Sequence, residues 1–177
     1  MRPAAQTTQQ RGGIDSGRDF LHLAAILETQ LLWPDEAAAQ ASAERLASAL
    51  LPAPDAVIEL HGPLGAGKTT FVRLLLRVLG VAGRIKSPSY AVMEPYDLPA
   101  GGTASHFDFY RFGDPREWED AGFRDVFAAP GLKLCEWPEK AAGQLPPADL
   151  QLFIDLLPDD TRRVRAVGSA RLVEALA

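Results

Sequence analysis

Residues 62–69 read GPLGAGKT, a glycine-rich stretch that ends in a lysine and a threonine. It matches the pattern G-x-x-x-x-G-K-[ST], in which glycines let the backbone turn so that its amides form a nest for phosphate oxygens. In such a loop Lys68 reaches the β- and γ-phosphates of a nucleotide, and the Thr69 hydroxyl ligates magnesium. The alternative is a plain glycine turn, but the four required positions coincide by chance in roughly one chain of this length in a hundred.

The segments on either side of residues 62–69 are those that a phosphate-binding loop requires. The compact apolar run 57–60 predicts a buried strand before it. A helix is predicted over residues 68–79, and Gly80 follows where a helix C-terminal glycine belongs. The positive end of this helix would add to the binding of phosphate.

Helix and strand patterns alternate along the rest of the chain, and two hairpins interrupt the alternation. Residues 28–33 fit either a short strand or the end of a helix that begins at Phe20. The other predicted elements are a helix opened by 34–36 and running to about Leu51, a hairpin of strands 90–96 and 103–110, a helix opened by 114–115, a strand at 132–136, a hairpin of strands 150–157 and 163–167, and a last helix from Ser169. The pattern predicts an α/β fold, a single P-loop NTPase-like domain with a mixed sheet flanked by helices.

Composition sets the expected extent and setting of this domain. The chain has 177 residues, is 47% hydrophobic and carries a net charge of -5, which argues against a dedicated nucleic-acid binder. Residues 1–19 contain almost no large apolar side chain, so we expect a disordered N-terminal extension followed by a P-loop ATPase domain over 20–177. Cys135 is the only cysteine, and no apolar run reaches the roughly 18–20 residues of a membrane helix. We therefore expect a cytoplasmic protein.

Two features bear on the nucleotide and on its metal. The chain contains no asparagine, so it cannot carry an Asn-Lys-x-Asp element that reads guanine, and ATP is favoured over GTP. A P-loop enzyme also needs an acid at the end of a neighbouring strand. Glu136 closes an apolar run, and Asp108 lies on an alternating strand that directs it to the same face as His106 and Tyr110. For either acid, a solvated strand end or a partner for a nearby arginine is the alternative.

Other polar and aromatic residues are open to two interpretations. Ser87 and Ser89 follow the helix predicted over residues 68–79 by a short loop. Their hydroxyls could face the γ-phosphate, as those of a switch element do, or the segment could be an ordinary turn. Taken by itself, Trp137 is better explained by core packing, as are Trp118 and Cys135. His61 is interpreted as a polar residue at a strand end.

Five short segments occur in an order and spacing that coincidence does not explain. They are GAGKTT at 65–70, KSPSY at 86–90, HFDFYR at 106–111, Asp114-Pro115 with Glu117, and EWP at 136–138. Together they resemble the TsaE family (also called YjeE), small bacterial ATPases required for threonylcarbamoyl modification of tRNA adenosine. The resemblance runs from about Trp33 to the C-terminus.

The resemblance implies ATP hydrolysis coupled to a TsaB–TsaD complex that transfers the threonylcarbamoyl group, with tRNA reached indirectly through that complex and no membrane involved. It implies magnesium held by Thr69 and Glu136, and Asp108 acting on the metal or on water, with Lys68 completing the catalytic set. It also raises Trp137 to a residue of the nucleotide site or of the partner contact. The implied nucleotide contacts are Gly62, Leu64, Gly65, Ala66, Gly67, Lys68, Thr69, Thr70, Asp35, Glu36, Ser89 and Trp137.

The chain departs from the family pattern at three positions. Pro63 stands where the family usually has an acidic residue, Ser89 replaces a threonine but keeps the hydroxyl, and Ala39 replaces a threonine. Two other functions stay open at this point. One is a small-molecule P-loop kinase, although no arginine-rich lid segment is evident. The other is a nucleotide-gated binding module with little turnover.

Overall fold

The computed structural model describes residues 25–177, so the predicted extension at 1–19 and the possible helix from Phe20 lie outside the described residues. The open question at 28–33 is settled, because these residues belong to a strand. The strands are β1 (Ile26–Trp33), β2 (Ala56–His61), β3 (Met93–Asp97), β4 (Thr103–Asp108), β5 (Leu132–Glu136), β6 (Leu150–Leu156) and β7 (Arg162–Ser169). The helices are α1 (Glu36–Leu50), α2 (Lys68–Val78), α3 (Pro115–Asp120), α4 (Phe123–Ala128) and α5 (Ala170–Leu176), with a 3-10 helix at Pro138–Ala141.

The seven strands form one sheet in the order β1-β7-β6-β2-β5-β4-β3. Its centre is parallel, since β2 pairs with both β5 and β6, and β5 pairs with β4. The two predicted hairpins supply the antiparallel pairs β3–β4 and β6–β7, and β1 adds an antiparallel edge to β7. The prediction of an α/β fold with a mixed sheet is confirmed.

The sheet separates two hydrophobic cores. On one face α1, α2 and α5 pack over the strands, and Ile58 and Leu60 of β2 point into this larger core. On the other face α3 and α4 cover β4 and β5 with a cluster of aromatic rings that includes Phe107 and Phe109. Successive strand residues point to opposite faces, so the alternation along β4 places His106 and Asp108 on the face of the larger core, opposite to Phe107.

Local signals explain where the helices begin. The Asp35 carboxylate accepts a hydrogen bond from the Ala38 amide at 2.9 Å and caps α1. α3 begins at Pro115, and the side chains of Asp114 and Glu117 form a capping box there. None of the helices in residues 25–177 is long and apolar enough to span a membrane.

Some boundaries differ from the prediction, and local hydrogen bonds explain two of them. β3 begins at Met93 instead of at residue 90, because the amide of Val92 donates to the Pro88 carbonyl at 2.7 Å and closes a turn. β4 ends at Asp108 instead of at residue 110, because the Asp108 carboxylate accepts from the Tyr110 amide at 3.0 Å and turns the chain away. Helix α4 and the 3-10 helix were not predicted, since each is too short to show a helical period.

The first glycine of the loop lies against a neighbouring strand. A Cβ atom at Gly62, where φ is +143°, would lie 2.3 Å from the carbonyl oxygen of Ile154 on β6. At Gly65 φ is +81°, but no heavy atom lies within 4 Å of an added Cβ. A side chain at Gly62 would therefore meet both an unfavourable backbone conformation and a steric clash, whereas one at Gly65 would meet only the unfavourable conformation.

We expect Gly65→Ala to cost roughly 1–2 kcal/mol of unfolding free energy, because an alanine there must adopt a left-handed conformation. Gly62→Ala should cost about 1–3 kcal/mol more, since the strand must also move to relieve the clash. Chemical denaturation of the two variants measures the difference. Equal losses would show that the approach of Ile154 to the loop is not a constraint.

Candidate functional site

The phosphate loop and both predicted acids meet at one edge of the sheet. β2, β4 and β5 are parallel, so their carboxyl ends share that edge. Asp108 and Glu136 are the last residues of β4 and β5 and lie opposite each other in the strand register. The loop that follows β2 and the two acids border one open pocket of about 370 Å³. It is lined by Leu64, Gly65, Gly67, Lys68, Thr69, Thr70, Ser87, Ser89, Asp108, Tyr110, Glu136, Trp137 and Arg162.

Glu136 has both carboxylate oxygens engaged although it is only 2% exposed. Its Oε2 accepts a hydrogen bond from the Thr69 hydroxyl at 2.8 Å, and its Oε1 lies 2.7 Å from Nε2 of His106. The carboxylate thereby ties β5 to the first turn of α2. Glu136 is therefore not the solvated strand end that was the alternative.

Asp108 is also buried, at 5% exposure, and its partners come from a different segment. Its Oδ2 accepts from the Ser89 hydroxyl at 3.0 Å, and Ser89 is in turn 2.9 Å from the hydroxyl of Ser87. Its Oδ1 accepts from the Tyr110 amide. The Ser-Pro-Ser segment, residues 87–89, therefore contacts Asp108 directly.

The Lys68 side chain contacts the backbone of the phosphate loop. Its ammonium donates to the carbonyl oxygens of Gly62 at 2.6 Å and Pro63 at 2.9 Å. It also lies 3.9 Å from the centre of the Trp137 ring, a cation–π distance. Burial lowers the pKa of the Lys68 ammonium, and nearby carboxylates, with Glu136 the largest contributor, partly oppose that shift.

Trp137 follows Glu136 in a left-handed conformation, with φ at +56°. Such a conformation costs a residue other than glycine on the order of 1–3 kcal/mol, and strained residues of this kind cluster at functional sites. The ring lines the pocket, lies 5.0 Å from the ring of Tyr110, and packs against the aromatic core behind it. Trp137 therefore combines core packing with a place in the pocket wall.

A second, smaller pocket of about 150 Å³ adjoins the first. The residues that line it include the predicted Asp35 and Glu36 and the apolar side chains of Trp33 and Phe71, whose rings stack at 4.9 Å. Asp35 is already committed to capping α1. Gly67, Thr70 and Arg162 line both pockets, so the two lie side by side.

Arg162 is the site residue that the sequence reasoning missed. It begins β7, one residue earlier than predicted, and its Nε lies 3.4 Å from the carbonyl of Ala66 in the loop. Its Nη1 donates to the carbonyl of Asp160 at 2.5 Å, which holds the guanidinium against the hairpin turn. The only signal in the sequence was a cation just after a predicted turn, almost a hundred residues from the loop.

Other candidates lie at the margin of the pocket or outside it. Leu64 is 78% exposed at the tip of the loop, whereas Ala66 is buried and borders only the second pocket. Gly62 lies behind the loop against β6. His61 points to the opposite face, where it contacts Glu59 at 3.1 Å and stacks on Phe153, in keeping with a polar strand end.

The oxygen donors at the loop suit a magnesium ion that is shared with a ligand. Among residues 25–177, no three His, Cys, Asp or Glu side chains converge on a self-contained metal site. The Thr69 hydroxyl and the Glu136 carboxylate are hard donors within 2.8 Å of each other. Magnesium is commonly held by one or two carboxylates together with substrate phosphates and water. This donor set therefore fits a metal that arrives with a nucleotide.

Comparison with known proteins places this arrangement in a family. The family model described as "Threonylcarbamoyl adenosine biosynthesis protein TsaE" matches residues 33–164. The Haemophilus influenzae protein named "tRNA threonylcarbamoyladenosine biosynthesis protein TsaE" is 43% identical over 116 residues, which are 66% of this chain and 72% of that protein. The Bacillus subtilis protein of the same name is 34% identical over 145 residues, 79% of this chain and 88% of the relative.

A solved structure shows the same fold. The crystal structure of Bacillus subtilis YdiB superimposes with a TM-score of 0.68 at 26% identity, covering 85% of this chain and 92% of YdiB. The family model spans most of the described chain, including the loop, the Ser-Pro-Ser segment and both acids. The chain therefore belongs to the TsaE family of threonylcarbamoyl adenosine biosynthesis proteins.

Proposed function

We propose that this protein binds ATP with magnesium and hydrolyses it in the biosynthesis of threonylcarbamoyladenosine in tRNA. The observation that carries the proposal is the meeting of Lys68 and Thr69 with Asp108 and Glu136 in one open pocket. A cation, a hydroxyl beside a carboxylate and a second buried acid are the parts that phosphoryl transfer requires. Membership of the TsaE family, whose described role is this modification, supports the biological setting.

The nucleotide in this proposal is ATP. In this proposal the adenine occupies the smaller pocket between Trp33 and the loop, and the triphosphate runs past Gly67 and Thr70 into the larger pocket. The walls of the smaller pocket are partly aromatic and suit a purine face. The absence of asparagine from the whole chain removes the usual guanine-reading element.

Each polar group of the pocket then has a separate task. The loop amides and Lys68 hold the phosphates, while Thr69 and Glu136 would hold the metal. When bound, magnesium neutralises charge that develops on the transferring phosphoryl group. Asp108, with its carboxylate held by Ser89 and by the Tyr110 amide, would orient the attacking water or accept its proton.

We further propose that the hydrolysis serves a TsaB–TsaD-type partner complex, and that this protein meets tRNA only through that complex. A net charge of -5 fits a protein that leaves the nucleic acid to its partners. Phosphate release measured with and without the partner proteins tests this. Transfer of phosphate to a small acceptor would indicate a kinase instead, and tight binding with no turnover in either condition would indicate a binding module.

We expect Lys68→Ala to lower ATP affinity at least tenfold, about 1.4 kcal/mol, because the loop loses the cation that faces the phosphates. Calorimetric titration of the folded variant with ATP gives the value. Lys140→Ala is the charge-matched control, since Lys140 is exposed and lines neither of the two pockets. Wild-type affinity in Lys68→Ala would end the phosphate-loop proposal.

Substitutions of the two acids should have different effects, on metal binding for Glu136 and on the chemical step for Asp108. We expect Glu136→Gln to reduce the magnesium-dependent part of ATP affinity, because Glu136 contacts Thr69 directly. Asp108→Asn should retain binding and lower turnover in the presence of the partner complex. ATP titrations with magnesium and with EDTA, followed by phosphate release at saturating ATP, make the distinction. The opposite pattern would show that the roles are reversed, and no change in either variant would make both acids structural.

Arg162 offers a test with a matched neighbour. Arg162→Ala should weaken ATP binding by roughly tenfold, since its guanidinium lies where the two pockets join and charge-assisted contacts to phosphate are strong. Arg163→Ala is the control, because Arg163 points to the other face and pairs with Asp155 at 3.0 Å on the surface. Equal ATP affinities of the two variants would contradict a nucleotide contact at Arg162.

A further inference from the structure

His106 is a buried polar residue for which the proposed reaction has no direct use. It lies on β4 two residues before Asp108 and is completely buried, on the sheet face opposite to Phe107 and Phe109. Its Nε2 lies 2.7 Å from Oε1 of Glu136, which is itself 2% exposed. This is a contact between two buried polar side chains across neighbouring strands.

The contact with Glu136 identifies the ring nitrogen that donates. A carboxylate only accepts hydrogen bonds, so the His106 nitrogen that faces Glu136 is the one that carries hydrogen. The other nitrogen, Nδ1, has no hydrogen-bond partner among the residues that the structure describes. A buried polar nitrogen without a hydrogen-bond partner lowers stability. An apolar residue would avoid that loss, so packing alone does not explain a histidine here.

What the histidine does to Glu136 follows from the geometry. The Glu136 side chain has three rotatable bonds and could adopt several orientations. Because His106 holds one carboxylate oxygen, the other oxygen points at Thr69. Holding the carboxylate in this orientation beforehand removes the cost of ordering it when a cation binds. Within residues 25–177, the His106 ring hydrogen-bonds to Glu136 alone, and His106 does not line the pocket.

We propose that His106 is a positioning residue that orients the Glu136 carboxylate for the divalent cation of the nucleotide complex. The proposal rests on the proposed function, because it assumes that Glu136 and Thr69 hold magnesium with ATP. It assigns His106 no contact with nucleotide and no proton transfer. Its effect is confined to the part of nucleotide affinity that depends on the metal.

The experiment compares His106→Leu with His106→Gln. ATP affinity is measured by calorimetry in magnesium and in EDTA, and the complex with Mn²⁺ and ATP is examined by electron paramagnetic resonance. In His106→Leu the magnesium-dependent gain in affinity should fall about tenfold while the affinity in EDTA stays unchanged. His106→Gln should recover most of the gain, because its amide can donate to Glu136. The Mn²⁺ spectrum should change in His106→Leu and return towards wild type in His106→Gln.

The controls separate this role from a structural one. Phe107→Leu alters the neighbouring residue on the other face and should leave the magnesium-dependent gain unchanged. If His106→Leu does not fold, His106→Asn replaces it, because the shorter amide does not reach Glu136 and should behave as the leucine variant would. Equal losses in magnesium and in EDTA, or a wild-type gain in every variant, would overturn the positioning role. A wild-type protein that shows no magnesium-dependent ATP binding would instead overturn the proposed function.

Discussion

The site depends on one constraint, the parallel pairing of β5 with β2 on one side and β4 on the other. Parallel strands bring their carboxyl ends to a common edge, and the register aligns Leu60, Glu136 and Asp108 there. The loop that leaves β2 meets both acids at this edge. A shift of one residue in the β4–β5 pairing would turn one acid towards the aromatic core on the other face.

Burial of these acids is compatible with a stable fold because their oxygens have partners. Glu136 is held by Thr69 and His106, and Asp108 is held by Ser89 and the Tyr110 amide. Every one of these partners comes from a different segment than the acid, or from the turn that follows it. The polar groups of the pocket therefore also tie α2, the Ser-Pro-Ser segment and the central strands together.

Strained backbone lies next to both acids. Trp137, directly after Glu136, and Val92, whose carbonyl accepts from the Asp108 amide, both have positive φ values, +56° and +63°. A β-branched residue rarely adopts this conformation. Such strain persists only where surrounding contacts hold it, and it often accompanies functional geometry. Contacts around Trp137 and Val92 therefore hold the backbone beside each acid in these conformations.

Much of the fold was determined by the sequence alone, because its signals are local. The apolar run of β5, the cap at Asp35 and the glycine pattern at 62–69 each depend on neighbours along the chain. The family motifs likewise pointed to Asp108, Glu136 and Ser89. The tertiary structure alone decided that Arg162 reaches the loop, since this depends on β6 pairing with β2. It also decided that His106 holds Glu136, because strand order and register, which no local pattern encodes, bring the two side chains within 2.7 Å.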